Sequence, residues 1–207
     1  MMHSTESSQF SGKLEPNPYY IFKICVLGAG AVGKTCICRR LCLNTFDYDT
    51  KMTIGINFYS YDIPVLVKDK KENIRLSIWD FGGQDQFKKL FPYYINGANG
   101  IFMCFSVVNF QSLLNLEWWY EEIFKYTNPN IPRVVLGTKN DLIDYCSGEI
   151  KVNELIIKQF LNKHEEKVYF QISSKEDVNI MQSFLTLTKK ILEHTNLNIN
   201  VHFQDEY

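Results

Sequence analysis

The sequence carries almost no surplus charge: 22 basic and 23 acidic side chains leave a formal net charge of −1 across 207 residues. That balance removes the electrostatic basis for holding nucleic acid or an anionic membrane surface, and no nucleic-acid partner is expected. No apolar run approaches a membrane span, and the N-terminus lacks the hydrophobic segment of a signal peptide. No internal repeat is visible, and no boundary marks a second domain. The 6 cysteines, Cys25, Cys36, Cys38, Cys42, Cys104 and Cys146, include no C-x-x-C pair, which argues against a disulfide framework or a zinc site. Most lie in apolar strand or helix contexts and read as small buried hydrophobes in a reducing cytosol. For the Cys36/Cys38/Cys42 cluster, redox sensitivity is the alternative reading. What remains is the profile of one α/β domain, cytoplasmic in type and long enough to bury a sizeable core.

One stretch concentrates chemistry. Gly28-Ala29-Gly30-Ala31-Val32-Gly33-Lys34-Thr35 fits G-x-x-x-x-G-K-[ST]. The apolar segment before it, Ile21 to Leu27, reads as a buried strand, and Thr35 to Leu43 after it reads as a helix. Strand, glycine-rich turn and helix N-terminus together make a phosphate cradle, because backbone N–H groups and the helix dipole converge on the anion. Gly28 and Gly33 permit bends that a Cβ would block. Lys34 supplies a cation to the outer phosphates, and the Thr35 hydroxyl suits a Mg²⁺ ligand.

Strands and helices alternate through the rest of the chain. Residues 1–18 are polar and aperiodic and read as a flexible arm; 196–207 read as a C-terminal tail, leaving 19–195 for the domain. Asn44 to Thr53 is a polar connection whose nearness to the phosphate site points to function. Ile54 to Val67 and Ile74 to Trp79 read as strands joined by a charged hairpin turn, Lys68 to Asn73. Gln86 to Asn96 is partly helical and interrupted by Pro92, and Gly100 to Val108 is apolar enough for a central parallel strand. Phe110 to Tyr126 is amphipathic at helical spacing. Ile131 to Gly137 reads as a buried strand, Val152 to Lys163 as a helix, Lys167 to Ile172 as a strand and Ile180 to Leu192 as the last helix. This order predicts an α/β fold with a mostly parallel six-stranded sheet, one antiparallel strand and helices on both faces. Ligands of such sheets bind beyond the C-terminal strand ends, where the remaining candidate loops fall.

Asp80 ends a hydrophobic strand, the place of a Walker-B carboxylate that holds Mg²⁺ through water; capping the next turn is its structural alternative. Gly82-Gly83 lets the backbone approach a γ-phosphate, with the Gly83 N–H as donor. Gln84 follows where its amide can orient an attacking water. Thr138-Lys139-Asn140-Asp141 comes after a buried strand. An Asp carboxylate there accepts from both N1–H and the exocyclic amine of guanine, and adenine would leave it unpaired. Lys139 can lie over the base, and Ser173-Ser174-Lys175 forms a second base-facing loop.

In order, G-A-G-A-V-G-K-T, T-I-G, D-F-G-G-Q, T-K-N-D and S-S-K resemble the Ras superfamily of small GTPases over about Ile21 to Leu192. Thr53 to Phe58 looks Rab-like, while the W-D-F-G-G-Q string looks more like Arf-type, Spg-type and Asgard-archaeal small GTPases. The resemblance implies a P-loop NTPase G domain acting as a molecular switch in membrane traffic or signalling regulation. Its ligands would be GTP and GDP with Mg²⁺, and its activity slow GTP hydrolysis. It implies that Gly28, Gly30 and the run Ala31, Val32, Gly33, Lys34, Thr35 and Cys36 wrap the phosphates. Phe46 would stack edge-on against guanine, and Thr53 of switch I would join Thr35 and Asp80 at the metal in the GTP state. In switch II, Gly83 would sense the γ-phosphate and Gln84 would be catalytic, with Lys34. Asp141 would read guanine beside Thr138 and Lys139, and Ser173, Ser174 and Lys175 would serve its carbonyl oxygen. Exchange factors, GTPase-activating proteins and effectors are the implied partners at the two switches. Effectors are expected on Ile54, Phe58, Trp79 and Tyr94, for which ordinary sheet aromatics are the alternative.

The chain departs from the family pattern in places. Thr138 replaces the more usual Asn, with loss of one base or P-loop hydrogen bond as its expected cost. Thr50 stands where many relatives carry a tyrosine that covers the nucleotide, and Tyr48 is the candidate substitute. Val201 to Tyr207 offers no prenylatable cysteine and the start no myristoylation glycine, so no direct anchor is expected and any membrane recruitment is through a protein. Arg39 and Arg40 fall on the helix behind the P-loop, so no arginine is expected in the pocket. The alternative to a switch is a GTP-binding scaffold with little or no hydrolysis, against which the retained Gly30 and Gln84 speak. A kinase of small substrates is disfavoured because T-K-N-D and Gln84 serve guanine and water.

Overall fold

Side chains along β1 (Tyr20–Gly28) point alternately into opposite layers, and this alternation sets the architecture. Phe22, Ile24 and Val26 enter one core with Ile37, Cys38 and Leu41 of α1 (Lys34–Leu43) and Phe184, Leu187 and Ile191 of α7 (Ile180–His194). Cys25 and Leu27 enter the other, with Leu116, Trp119, Tyr120 and Ile123 of α5 (Leu116–Tyr126) and Ile157 and Phe160 of α6 (Glu154–Lys163). A strand covered on both faces has little room for polar alternation, which is why this one reads as an apolar run interrupted only by Lys23. The structure, a computed structural model, describes residues 17–49, 51–68, 70–145 and 151–195, together with the backbone of 201–203.

The sheet order is β6-β5-β4-β1-β3-β2-β7, with β2 at Ile56–Val67, β3 at Lys70–Phe81, β4 at Gly100–Ser106, β5 at Arg133–Thr138, β6 at Tyr169–Gln171 and β7 at Val201–Phe203. β1 pairs in parallel with β3 and β4, β4 with β5, and β5 with β6; β2 runs antiparallel to β3. The expected six strands are therefore present. Within the expected C-terminal tail, 196–207, Val201–Phe203 pairs antiparallel with Val65–Val67 at the open edge of β2. An exposed edge presents unpaired backbone groups that another extended segment can satisfy.

Other boundaries moved for local reasons. The charged hairpin is shorter than Lys68 to Asn73: Val67 pairs directly with Lys70, and Lys68 takes the left-handed conformation (φ 48°) that a tight turn demands. Pro92 begins the short helix α3 (Phe91–Tyr94) rather than ending one, with α2 (Asp85–Lys88) before it. The Phe110–Tyr126 helix divides at Asn115 into α4 (Phe110–Leu114) and α5, although Asn115 keeps helical angles (φ −65°, ψ −15°). The break is one of hydrogen-bond pattern, with the Asn115 N–H donating to both Gln111 O and Leu113 O. Residues 1–16 of the arm expected over 1–18, together with Thr50 and Cys146, lie outside the described residues.

Candidate functional site

Beyond the C-terminal ends of β1, β3 and β5 lies a cavity of about 380 Å³. Gly30, Ala31, Gly33, Lys34, Thr35, Cys36, Phe46, Thr53, Gly83, Gln84, Thr138, Lys139, Asp141, Ser174 and Lys175 line it, so most of the expected site residues meet there. Tyr48, Lys51 and Met52 line it as well. Gly28, Val32, Asp80 and Ser173, also expected at the site, are not among the residues that line the cavity.

The turn after β1 is shaped by contacts that a larger residue would break. A Cβ on Gly28, whose φ is +144°, would sit 2.1 Å from Cys104 O, and Gly33 holds φ +99° as the cap of α1. Lys34 is buried and its Nζ donates to Gly28 O at 2.9 Å and Ala29 O at 2.7 Å. Burial lowers the Lys34 pKa, opposed by the negative charge of Asp80.

Three oxygen-bearing side chains converge beside it. Thr35 Oγ1 donates to Asp80 Oδ2 at 2.6 Å and lies 2.7 Å from Thr53 Oγ1. Since the Thr35 proton points to Asp80, Thr53 is the donor in the second pair. Asp80 is fully buried; burial raises its pKa, against the Thr35 hydrogen bond and the Lys34 charge, which lower it. Its Oδ1 is buried with no hydrogen-bond partner. An orphaned carboxylate oxygen beside two hydroxyls is a hard, all-oxygen donor set that fits Mg²⁺ held partly through water and phosphate.

Switch II reaches this point through backbone contact. Gly82 N donates to Gly55 O at 2.8 Å. A Cβ on Gly83 would lie 2.3 Å from Ala29 C and 2.4 Å from both Gly28 O and Gly30 N. The chain after β3 thus presses against the P-loop on one side and switch I on the other, which only glycines permit.

At the other end, Asp141 Oδ1 accepts from Ser173 Oγ at 2.7 Å, so Ser173 orients the carboxylate from below. Thr138 Oγ1 lies within hydrogen-bond reach of Phe105 O, at 3.0 Å, and of Val32 O in the P-loop. The loss expected from Thr138 is thereby corrected on the P-loop side, because the shorter side chain still ties the two loops together. Phe46 and Tyr48 form an edge contact with centroids 5.1 Å apart, and the Lys175 ammonium sits 5.8 Å from the Tyr48 ring. Arg40 does more than the sequence suggested. Its Nε donates to Ser174 O at 2.7 Å, one terminal nitrogen to Lys175 O at 3.2 Å and the other to Asn44 Oδ1 at 2.8 Å. A helix residue 134 positions away from Ser174 gives no local sequence signal of this contact.

Outside the cavity, Phe58 and Trp79 are cross-strand neighbours with rings 4.7 Å apart, and Tyr94 adds a third ring 5.9 Å from Trp79. Phe58 is 51% exposed, Tyr94 38% and Ile54 81%. Sequence reasoning missed Lys23, whose Nζ lies 3.6 Å from the Trp79 ring centroid and donates to Asn96 O. Among the thiols, Cys25 and Cys104 are buried, and desolvation pushes each up to about 12; burial also raises Cys38 well above the ordinary thiol value. That favours core filling over redox chemistry at these three positions.

Fold and site together define a P-loop nucleotide-binding domain of the small GTPase class. The Ras family model matches residues 23–193, and the chain belongs to that family, with Rab-like character. It is 29% identical over 185 residues to GTP-binding protein ypt1 of Schizosaccharomyces pombe, covering 89% of this chain and 87% of that protein. It is 31% identical to Ras-related protein RABD1 of Arabidopsis thaliana over 183 residues, 86% of this chain and 85% of that one. Ras-related protein Rab-10 of Diplobatis ommata is also 31% identical, over 84% of this chain and 83% of its own. Membership makes the chain a GTP hydrolase.

Proposed function

We propose that the cavity holds GTP or GDP with Mg²⁺, and that slow hydrolysis between them operates a switch in membrane traffic or signalling regulation. The observation that carries this reading is the meeting of Thr53 with Thr35 and Asp80. It ties a surface loop to the phosphate end, so loss of the γ-phosphate has a mechanical consequence. Mg²⁺, when bound, neutralises charge on the β- and γ-phosphates. Thr35 and Thr53 would offer it hydroxyls, and Asp80 its unpartnered Oδ1 through water.

The chain's own residues do the rest. Lys34 exchanges its carbonyl partners for phosphate oxygens, which restores the counter-charge that burial removes. The P-loop N–H groups from Ala31 to Cys36 and the Gly83 N–H bind phosphate oxygens. Gln84 orients the attacking water. Phe46 and Lys139 flank the base, Asp141 selects guanine, and Ser174 and Lys175 offer N–H groups to its carbonyl. Hydrolysis is slow because none of the chain's arginines lines the cavity. Arg39 pairs with Asp47, Arg75 with Asp62 and Arg133 with Glu166, while Arg40 holds the base loop. Intrinsic turnover should therefore be on the order of 10⁻⁴ to 10⁻³ per second, the scale of Ras without its activator, and an arginine in trans would add about 10³ to 10⁵.

Exchange factors and activating proteins would act at the two switches, and effectors at Ile54, Phe58, Trp79 and Tyr94, of which Ile54, Phe58 and Tyr94 are exposed. Described residues contain no helix long and apolar enough to cross a membrane, and recruitment there would go through a protein partner. The test is single-turnover phosphate release from GTP-loaded protein. Gln84→Leu should slow it at least tenfold while GTP affinity stays within about twofold; equal rates would mean that Gln84 is not catalytic.

A further inference from the structure

Both polar ends of the Gln84 amide are already occupied by this chain. Its Nε2 donates to the Met52 thioether at 3.3 Å, and its Oε1 accepts from Gln86 Nε2 at 2.9 Å. Met52 is 58% exposed, lines the cavity and immediately precedes Thr53, whose hydroxyl belongs to the oxygen cluster. The Gln84 stem runs along the P-loop, since a Cβ placed on Gly30 would come 3.9 Å from Gln84 Cγ.

To orient an attacking water, the amide oxygen must accept from that water, and the amide nitrogen must be free to turn with it. In the pose observed, one N–H is committed to the Met52 sulfur and one lone pair of the oxygen to Gln86, and together they fix the direction of the amide. A thioether is a weak acceptor, so the pose is shallow rather than locked. We infer that Met52 is a positioning residue that parks Gln84 in a resting orientation. Basal hydrolysis then depends on how often the amide leaves the sulfur, and movement of switch I, which carries Met52, reaches Gln84 directly. This inference rests on the reading of Gln84 as the water-orienting residue.

Met52→Leu keeps the apolar bulk and removes the acceptor; Met52→Gln supplies a stronger one, a carbonyl oxygen. Phosphate release is followed in a single turnover with full-length GTP-loaded protein and excess Mg²⁺, alongside the GTP dissociation rate. Met52→Leu should speed hydrolysis roughly two- to fivefold and Met52→Gln should slow it by a similar factor, the range of one modest hydrogen bond, with dissociation unchanged. In a Gln84→Leu background both effects should vanish. A merely structural Met52 would give shifts in the same direction, no shift at all, or shifts that persist without Gln84, and any of these overturns the inference. Equal rates for wild type and Gln84→Leu alone would instead overturn the role of Gln84, and the parking model with it.

Discussion

Replacing Arg40 by methionine should loosen the guanine end of the site without unfolding the domain. Methionine preserves the aliphatic packing of the arginine stem and removes its donors. Only the 2.7 Å bond from Nε to Ser174 O is sheltered; the bonds to Lys175 O and to Asn44 are exposed and count for little. A hydrogen bond from a charged donor contributes about 1.5–3 kcal/mol, and here it holds the Ser174–Lys175 loop proposed to offer N–H groups to the base. If that ordering is expressed in nucleotide retention, the dissociation rate of fluorescent GDP should rise about ten- to a hundredfold. Arg39→Met is the control. Its partner Asp47 is 61% exposed on the surface, and a solvated pair of that kind should change dissociation by less than about threefold. Stopped-flow release of the labelled nucleotide after chasing with excess GDP measures both. An Arg40→Met rate within twofold of wild type would refute the argument, as would a tenfold effect of Arg39→Met.

Two further substitutions follow from the same geometry. Gly83→Ala brings a Cβ to 2.3–2.4 Å from P-loop backbone where ordinary contact begins at 3.4 Å, so switch II must retreat by roughly 1 Å. A shift of that size next to Gln84 should cost on the order of a hundredfold in single-turnover hydrolysis while the melting temperature barely moves; a rate close to wild type would show that the close approach is irrelevant to turnover. Thr138→Val leaves Val32 O and Phe105 O without their shared hydroxyl, which should cost about 1–2 kcal/mol. Calorimetry should find melting lowered by about 2–8 °C, and an unchanged transition would mean the tie between the loops is not stabilising.

What could be read from sequence was what local spacing encodes. The P-loop follows one buried strand, Asp80 sits near the end of another and Asp141 lies three residues past a third, and a strand's apolar run with the polar residues after it is visible in one dimension. The division at Asn115 was not visible, because the apolar period of Phe110–Tyr126 continues through a residue with helical angles. Nor was the true length of the charged hairpin turn visible: charged side chains at the solvent-facing end of a sheet look like a turn, and only the pairing register distinguishes them. β7 was missed because Val201–Phe203 is too short to carry a period and is defined by the β2 edge it meets. Arg40 and Lys23 act across 134 and 73 residues respectively, and the partner atoms are backbone carbonyls that any sequence supplies.

The cavity is proposed to recognise guanine through Asp141. The most direct measurement is displacement of fluorescent GDP by unlabelled GTP and ATP, on wild type and on Asp141→Asn. A carboxylate held by Ser173 at 2.7 Å and built to accept two donors should reject adenine on the order of ten-thousand-fold. Wild type should therefore yield to stoichiometric GTP and resist millimolar ATP, while Asp141→Asn should bind both guanine nucleotides weakly and favour xanthine ones. Equal competition by ATP and GTP on the wild-type protein would contradict the account.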